Sequence, residues 1–254
     1  MSSNKPLVSI ITPAFNCEDT IAHTYQSIKA QTYSNWEWLI TDDCSGDDTC
    51  KIVESLIVSD ERIKLFKNNE NSGAAVSRNN SIVNSKGRYI AFIDSDDLWF
   101  KDKLSVQLKH METNSYDFSF TAYNIVDANG KSLNKTVDSK QLQPLDYYDM
   151  LKKKATLGCS TVMLKKESFT DLMMPLIRTG QDYALWLKLL RTGVSAHPIN
   201  DVLTSYRVLP NSISRNKLRK AKRQWQIYRE IEGLPLIYSL YCFYFYGYRA
   251  VFRK

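Results

Sequence analysis

Three carboxylates within four residues, Asp94, Asp96 and Asp97, are the densest chemical signal in the chain. They follow directly on an apolar, β-rich run over residues 89–93, the pattern of a buried central strand. Acids crowded at such a strand end repel one another and cost stability unless a cation or hydrogen-bond donors compensate them. A hard divalent cation that bridges carboxylate and diphosphate oxygens fits the arrangement. The plainer alternative is a polar strand-to-helix turn with Asp as N-cap, for which one Asp suffices. A second acid pair, Asp42 and Asp43, closes another apolar run over 36–41. It reads as a turn pair or as a ligand contact, and its place at a strand's carboxyl end favours the contact.

Positioning these acids takes a regular scaffold. An apolar strand over 7–12 stops at Pro13, and residues 18–32 carry Ile21, Tyr25 and Ile28 at helical spacing. After the 36–41 strand, Ser45-Gly46-Asp47 opens a helix through Ile52, Leu56 and Ile57. A third strand over 63–66, a polar loop over 68–73 and a helix over 74–85 lead into the 89–93 strand. Strands alternating with helices at this spacing predict an α/β fold with a mostly parallel sheet flanked by helices. Right-handed crossovers place the loops after these strands on one edge, which gathers residues 13–16, 42–43 and 94–97. The second half is less regular. It shows strands over 117–124 and 159–164, an Asn129-Gly130 hairpin turn, a helix over 144–154 and an amphipathic helix over 181–191.

Composition excludes several classes. The 254 residues suit one domain, or one domain with an appendage, and 43% hydrophobic with 24% charged is ordinary for a globular protein. The net charge of +7 is concentrated in residues 215–254, where ten Lys/Arg stand against two Glu. Nothing in 1–214 supplies a basic face for nucleic acid. Five irregularly spaced cysteines and three scattered histidines argue against zinc and against a disulfide framework. The amino terminus lacks an apolar signal core, so a reducing, cytoplasmic location is expected. Neither a Gly-x-Gly-x-x-Gly after the first strand nor a P-loop is present.

Taken together, the motifs resemble family-2 glycosyltransferases with the GT-A fold. Residues 8–16 (Val-Ser-Ile-Ile-Thr-Pro-Ala-Phe-Asn) resemble the family's opening, and Asp42-Asp43 with Ser45-Gly46-Asp47 its second motif. Asn71-Ser72-Gly73 with Ser77-Arg78-Asn79, then Asp94-Ser95-Asp96-Asp97, look like the next two. Gln181-Asp182 resembles the catalytic-base segment, with Gln where Glu is frequent, and Tyr206-Arg207-Val208 with Ser212-Ile213-Ser214 the segment after it. The flavour is that of bacterial O-antigen and capsular polysaccharide transferases. The resemblance implies that Thr12, Pro13 and Ala14 line the nucleotide base, with Asp42 or Asp43 accepting from it. Arg78 then contacts the nucleotide, Asp94 the ribose, and Asn16, Asn71 and Ser95 complete the nucleotide-sugar set. It makes Asp96 the ligand of Mg²⁺ or Mn²⁺, and Asp182 the base that deprotonates the acceptor hydroxyl in an inverting transfer from a nucleotide sugar, a UDP-sugar being expected. The implied acceptor is a polyprenyl-diphosphate-linked or other saccharide.

Bland readings stand beside these. Asp182 could cap the following helix, Arg78 could be a solvated charge, and Trp99 and Trp186 read as core rather than as sugar platforms. A sugar-nucleotide- or glycan-binding protein of the same fold without turnover is the alternative function. A nucleotidyltransferase lacks the glycine- and lysine-rich phosphate loop it needs.

The expected domains are a transferase domain over 1–215, with a nucleotide-sugar half (1–105) and an acceptor half (106–215), and a basic, aromatic helical tail over 216–254. The tail's basic run is followed by an uncharged stretch over 233–248 that holds five tyrosines. Tyrosines and flanking cations suit a membrane interface, so an anionic membrane surface on the inner face of the cytoplasmic membrane is the expected partner of 215–254. The competing reading is a C-terminal helix packed on the domain.

Overall fold

The computed structural model describes residues 5–208 and 217–252. Three strand-helix units open the chain: β1 (Val8–Ala14) and α1 (Ile21–Lys29), β2 (Trp36–Asp42) and α2 (Thr49–Ser59), β3 (Ile63–Lys67) and α3 (Ala74–Val83). Then come β4 (Tyr89–Phe92), the two-residue β5 (Leu98–Trp99), α4 (Lys103–Asn114), β6 (Phe118–Val126) and β7 (Ser132–Val137). After α5 (Tyr147–Leu151) follow β8 (Val162–Lys165), α6 (Gln181–Leu190) and β9 (His197–Arg207). The tail forms α7 (Lys217–Gln226), one π turn (Ile227–Ile231) and α8 (Leu236–Phe252).

One nine-stranded sheet runs in the order β3-β2-β1-β4-β8-β6-β9-β5, with β7 on β6. The first four strands are parallel, in keeping with the largely apolar runs of β1, β2 and β4, and β1 and β2 are almost wholly buried. From β8 onward the sheet is mixed: β8 lies antiparallel to both β4 and β6, while β6 and β9 are parallel. The parallel register sets Ala14 against Asp42 and Asp42 against Lys67, so the turns after β1, β2 and β3 share one edge. At the opposite edge Gly87 is required by close approach. A Cβ there would stand 2.5 Å from the Ser9 amide nitrogen and 2.8 Å from the Leu7 carbonyl oxygen.

Two apolar cores sandwich the sheet. One joins α1, α2 and α4 to β1, β2 and β4 through Tyr25, Trp38, Ile93 and Leu104. The other packs α3, α5, α6 and the tail through Phe92, Phe118, Trp186, Ile227 and Tyr228. Trp186 is fully buried, edge-on to Phe92 and Phe118, and Trp99 is buried too, so both are core residues as read.

Several second-half elements differ from the sequence reading. The expected 159–164 strand begins as a 3₁₀ turn, Cys159–Thr161, and the 144–154 segment is helical only over α5. The Asn129-Gly130 turn does join a hairpin, β6 to β7. His197 stacks on Tyr116 with ring centroids 3.4 Å apart. The tail is both a packed element and an exposed one. Ile227, Tyr228, Leu234 and Cys242 belong to the second core, while much of α8 faces outward. Ser212-Ile213-Ser214 and the 215/216 boundary lie outside the described residues.

Candidate active site

A cleft of about 870 Å³ opens at the carboxyl ends of β1 and β4. Pro13, Ala14, Asn16, Asp43, Arg78, Asp94, Ser95 and Asp96 line it, together with Phe15, Thr20, His23, Asn129 and Arg207. Residues as far apart in sequence as Pro13 and Asp96, drawn from different crossovers, thus meet, because parallel strands deliver their following turns to one edge.

The three acids after β4 have three different environments. Asp94 accepts from Arg78 Nη2 at 2.5 Å, and its own amide donates to Ser160 Oγ. Asp97 is fully buried: Ser160 Oγ donates to its Oδ2 at 2.5 Å and the Arg207 amide to its Oδ1 at 2.9 Å. Burial, then the charges of Asp96 and Asp94, push the Asp97 carboxyl well above the usual range. Asp97 therefore organises the loop from within. Asp96 lines the cleft, and burial followed by the Asp94 charge pushes its pKa up to about 6. The opposing pull of Arg207 and Arg78 is the smaller effect. Arg207 also ties the loop down by donating from Nε to the Asp96 carbonyl and from Nη1 to the Ala128 carbonyl.

The acids after β2 are satisfied instead. Asp42 accepts from both the amide and the hydroxyl of Ser45. Asp43 Oδ1 accepts from Asn68 Nδ2 and the Ser72 amide, and Oδ2 from the Gly73 amide at 2.7 Å. Four carboxylate lone-pair positions minus these three leave Asp43 with one acceptor position, next to the cleft it lines. Asn71 holds the same turn by donating to the Asp43 carbonyl.

Arg78 is buried rather than solvated, and among the described residues its Nε and Nη1 have no hydrogen-bond partner. Burial opposes its charge, yet Cys159, Asp94 and Asp182 outweigh that and its pKa is raised. Two donors of a fixed cation are thus left at the cleft wall. Thr12 does not line the cleft: its hydroxyl donates to the Ile93 carbonyl and accepts from Trp38 Nε1. Asp42 and Asn71 are likewise outside the lining, engaged as described. Asp182 sits in the first turn of α6, close enough for its charge to act on Arg78 and Cys159. The N-cap of that helix is Gly180, with φ +73°, so the capping alternative for Asp182 does not hold. Cys159 is buried, which pushes its thiol well up and removes it as a nucleophile.

Ser160 and the structural role of Asp97 were not legible from the chain. Ser160 joins Asp94, Asp97, Trp99 and Thr204, all distant from it in sequence. An isolated Ser after a Gly-Cys pair carries no pattern that announces such a hub.

The sequence profile described as glycosyl transferase family 2 matches residues 9–172. The chain belongs to that family. Curated family relatives extend the match over the whole length. TuaG of Bacillus subtilis (strain 168), named for teichuronic acid biosynthesis, is 44% identical over all of both chains. WfaP of Escherichia coli, a UDP-Glc:alpha-D-GlcNAc-diphosphoundecaprenol beta-1,3-glucosyltransferase, is 39% identical over 97% of this chain and 95% of its own. Among solved structures, the mannosyltransferase PcManGT of Pyrobaculum calidifontis, in complex with GDP-Man and Mn2+, aligns with TM-score 0.71 at 18% identity. That alignment covers 98% of this chain and 71% of that one. S. aureus TarS 1–349 in complex with UDP aligns with TM-score 0.66 at 20% identity, over 89% and 72%. These likenesses establish the GT-A fold. The family-2 chain is a glycosyltransferase with an α/β architecture and a C-terminal helical tail.

Proposed function

We propose that this glycosyltransferase moves a sugar, with inversion, from a UDP-sugar to a polyprenyl-diphosphate-linked saccharide in the synthesis of a bacterial surface polysaccharide. The observation that carries the reading is the pairing of an under-compensated Asp96 with the orphaned Arg78 donors across one cleft. The UDP that TarS binds and the donor and acceptor in WfaP's name support the choice of partners.

Pro13, Ala14 and Asn16 would flank the nucleotide, and Asp43 would accept from the base with its remaining lone pair. Thr12, Asp42 and Asn71 would act from behind, holding strand and turn. Asp94, steered by Arg78, and Ser95 would meet the ribose. The amino end of α3, where Ala74 and Ser77 line the cleft, adds a dipole that favours phosphate. Among the described residues no group of three His, Cys, Asp or Glu could hold a metal. Mg²⁺ needs only one or two carboxylates once substrate phosphates and water complete its shell. Asp96, a carboxylate whose charge is poorly offset, fits that need. The cation, Mg²⁺ or Mn²⁺, would supply Lewis-acid stabilisation of the departing diphosphate. Asp182 would take the proton from the acceptor hydroxyl as it attacks the anomeric carbon, which makes one displacement and one inversion.

We treat 1–215 as the transferase domain, divided near 105 into donor and acceptor halves, and 216–254 as a tail packed against it. Among the described residues no helix is long and apolar enough to cross a membrane. The reading is a cytoplasmic enzyme held peripherally at the inner membrane face through 215–254. Mass spectrometry of products from a panel of nucleotide sugars and synthetic lipid-linked acceptors tests it. Transfer from one UDP-sugar with a β product is expected from an α donor. Donor binding without transfer or hydrolysis would replace it with the non-catalytic binding reading.

A further inference from the structure

Helix α8 is sided in an uncommon way. Tyr238, Ser239, Cys242, Phe243 and Tyr246 turn inward, with Ser239 and Cys242 fully buried and Phe243 edge-on to Trp225 of α7. At Leu236, Ile237, Leu240, Tyr241, Tyr244, Tyr248 and Phe252 the helix is exposed instead, Ile237 by 84% and Tyr244 by 65%. Their spacing places them on a single arc of the helix. That outward arc carries no charge. The one ionisable cation of the helix, Arg249, lies off it. Seven large apolar or aromatic side chains on one exposed strip exceed the scattered exposure of a solvated surface. Helix α7, packed against α8, exposes Arg219, Lys220 and Lys222 and has no acid in its sequence.

We propose that the outward face of α8, from Leu236 to Phe252, lies in the interfacial layer of an anionic bilayer, with the cations of α7 on its headgroups. This deepens the peripheral membrane reading and rests on it by naming the face. At 17 residues the helix is about 25 Å long, and it lies along the surface, since it cannot span. Tyrosines suit this depth because the ring enters the acyl boundary while the hydroxyl stays among the headgroups. Charge selects lipid over a second copy of the chain. Residues 217–252 hold seven Lys/Arg and two Glu, so face-to-face pairing would bring two cationic tails together. The buried face simultaneously anchors α8 to the catalytic domain, so the cleft is held at a set height above the surface.

The test uses the full chain with vesicles rich in phosphatidylglycerol and vesicles of phosphatidylcholine alone, read by co-sedimentation. Ile237→Asp with Tyr244→Asp should weaken binding to the anionic vesicles by more than about tenfold, since each takes an exposed apolar side chain out of the lipid contact and adds a negative charge. Arg219→Gln with Lys222→Gln should weaken it less and flatten its salt dependence. Both variants should keep the wild-type melting temperature and the wild-type rate on a short water-soluble acceptor. Unchanged vesicle binding by the Ile237/Tyr244 variant would overturn the proposal, as would equal binding to phosphatidylcholine. A dimer in light scattering that this variant dissociates, with no vesicle binding by the native chain, would assign the face to a second copy instead. Failure of the native chain to transfer sugar to the soluble acceptor strikes the catalytic reading and leaves the lipid result standing.

Discussion

Two acidic turns, one after β2 and one after β4, start from the same sequence device and end in opposite electrostatic states. Asp42 and Asp43 are nearly saturated by Ser45, Asn68, Ser72 and Gly73, mostly backbone amides of their own and the next loop. Their charges hold architecture. Asp94, Asp96 and Asp97 instead divide the available donors, and Asp96 is left with burial and a like charge acting against its ionised form. A fold under selection for stability alone would remove such a group. Strain of this kind at a strand's carboxyl end marks a position kept for a ligand.

The contrast breaks most sharply at Asp96. Asp96→Asn should lower transfer on the order of 10³-fold, the several kcal/mol a fixed Lewis acid supplies, while leaving the apo melting temperature unchanged or higher. Thermal shift with Mn²⁺ and UDP should stabilise the native chain and not this variant. A variant that keeps near-native turnover would detach Asp96 from the metal.

Asp182 tests whether the rule extends beyond the two turns. Asp182→Asn should cost at least ~10²-fold in kcat with donor affinity preserved, read by steady-state rates beside calorimetric titration. Collapse of donor affinity with high residual turnover would make it a binding residue.

The opposite pattern is expected at Asp43. Asp43→Ala strands three donors and should cost about 3 kcal/mol in denaturant unfolding, whatever it does to catalysis. If its stability were native and only the KM for donor rose, Asp43 would serve the nucleotide alone and not hold the turn.

The smallest effect sharpens how α6 is held. At Gly180, φ +73° and a Cβ position 3.2 Å from Ile227 Cδ1 both oppose a side chain. Gly180→Ala should therefore cost about 1–2 kcal/mol. Arg223 Nε donates to Thr179 Oγ1 beside it, so the tail braces the turn that presents Asp182. Because Ile227 and Tyr228 lie in the core, truncation after Asn216 is expected to lower the melting temperature as well as to remove vesicle binding.

The amino-terminal half was legible because its signals are local. Continuous apolar runs marked β1, β2 and β4, and the acids after them stand where parallel crossovers send every loop. The β9 strand was missed because Pro198, Asn200 and Asp201 interrupt its pattern, and its stability comes from pairing with β6 almost 80 residues away. Likewise the two residues of β5 exist only as partners of β9.

Residue types and their order determined that acids would crowd one sheet edge and that the tail would be cationic and aromatic, while the family resemblance singled out Asp96 and Asp182. Tertiary structure decided which acid is spent and which is free. Donors such as Ser160 Oγ and the Arg207 amide reach Asp97 from 63 and 110 positions away, and no local pattern encodes that sharing. It also decided the tail. Helical periodicity presents two apolar faces in α8, and only packing against Trp225 and the second core determines which one is covered and which one meets the solvent.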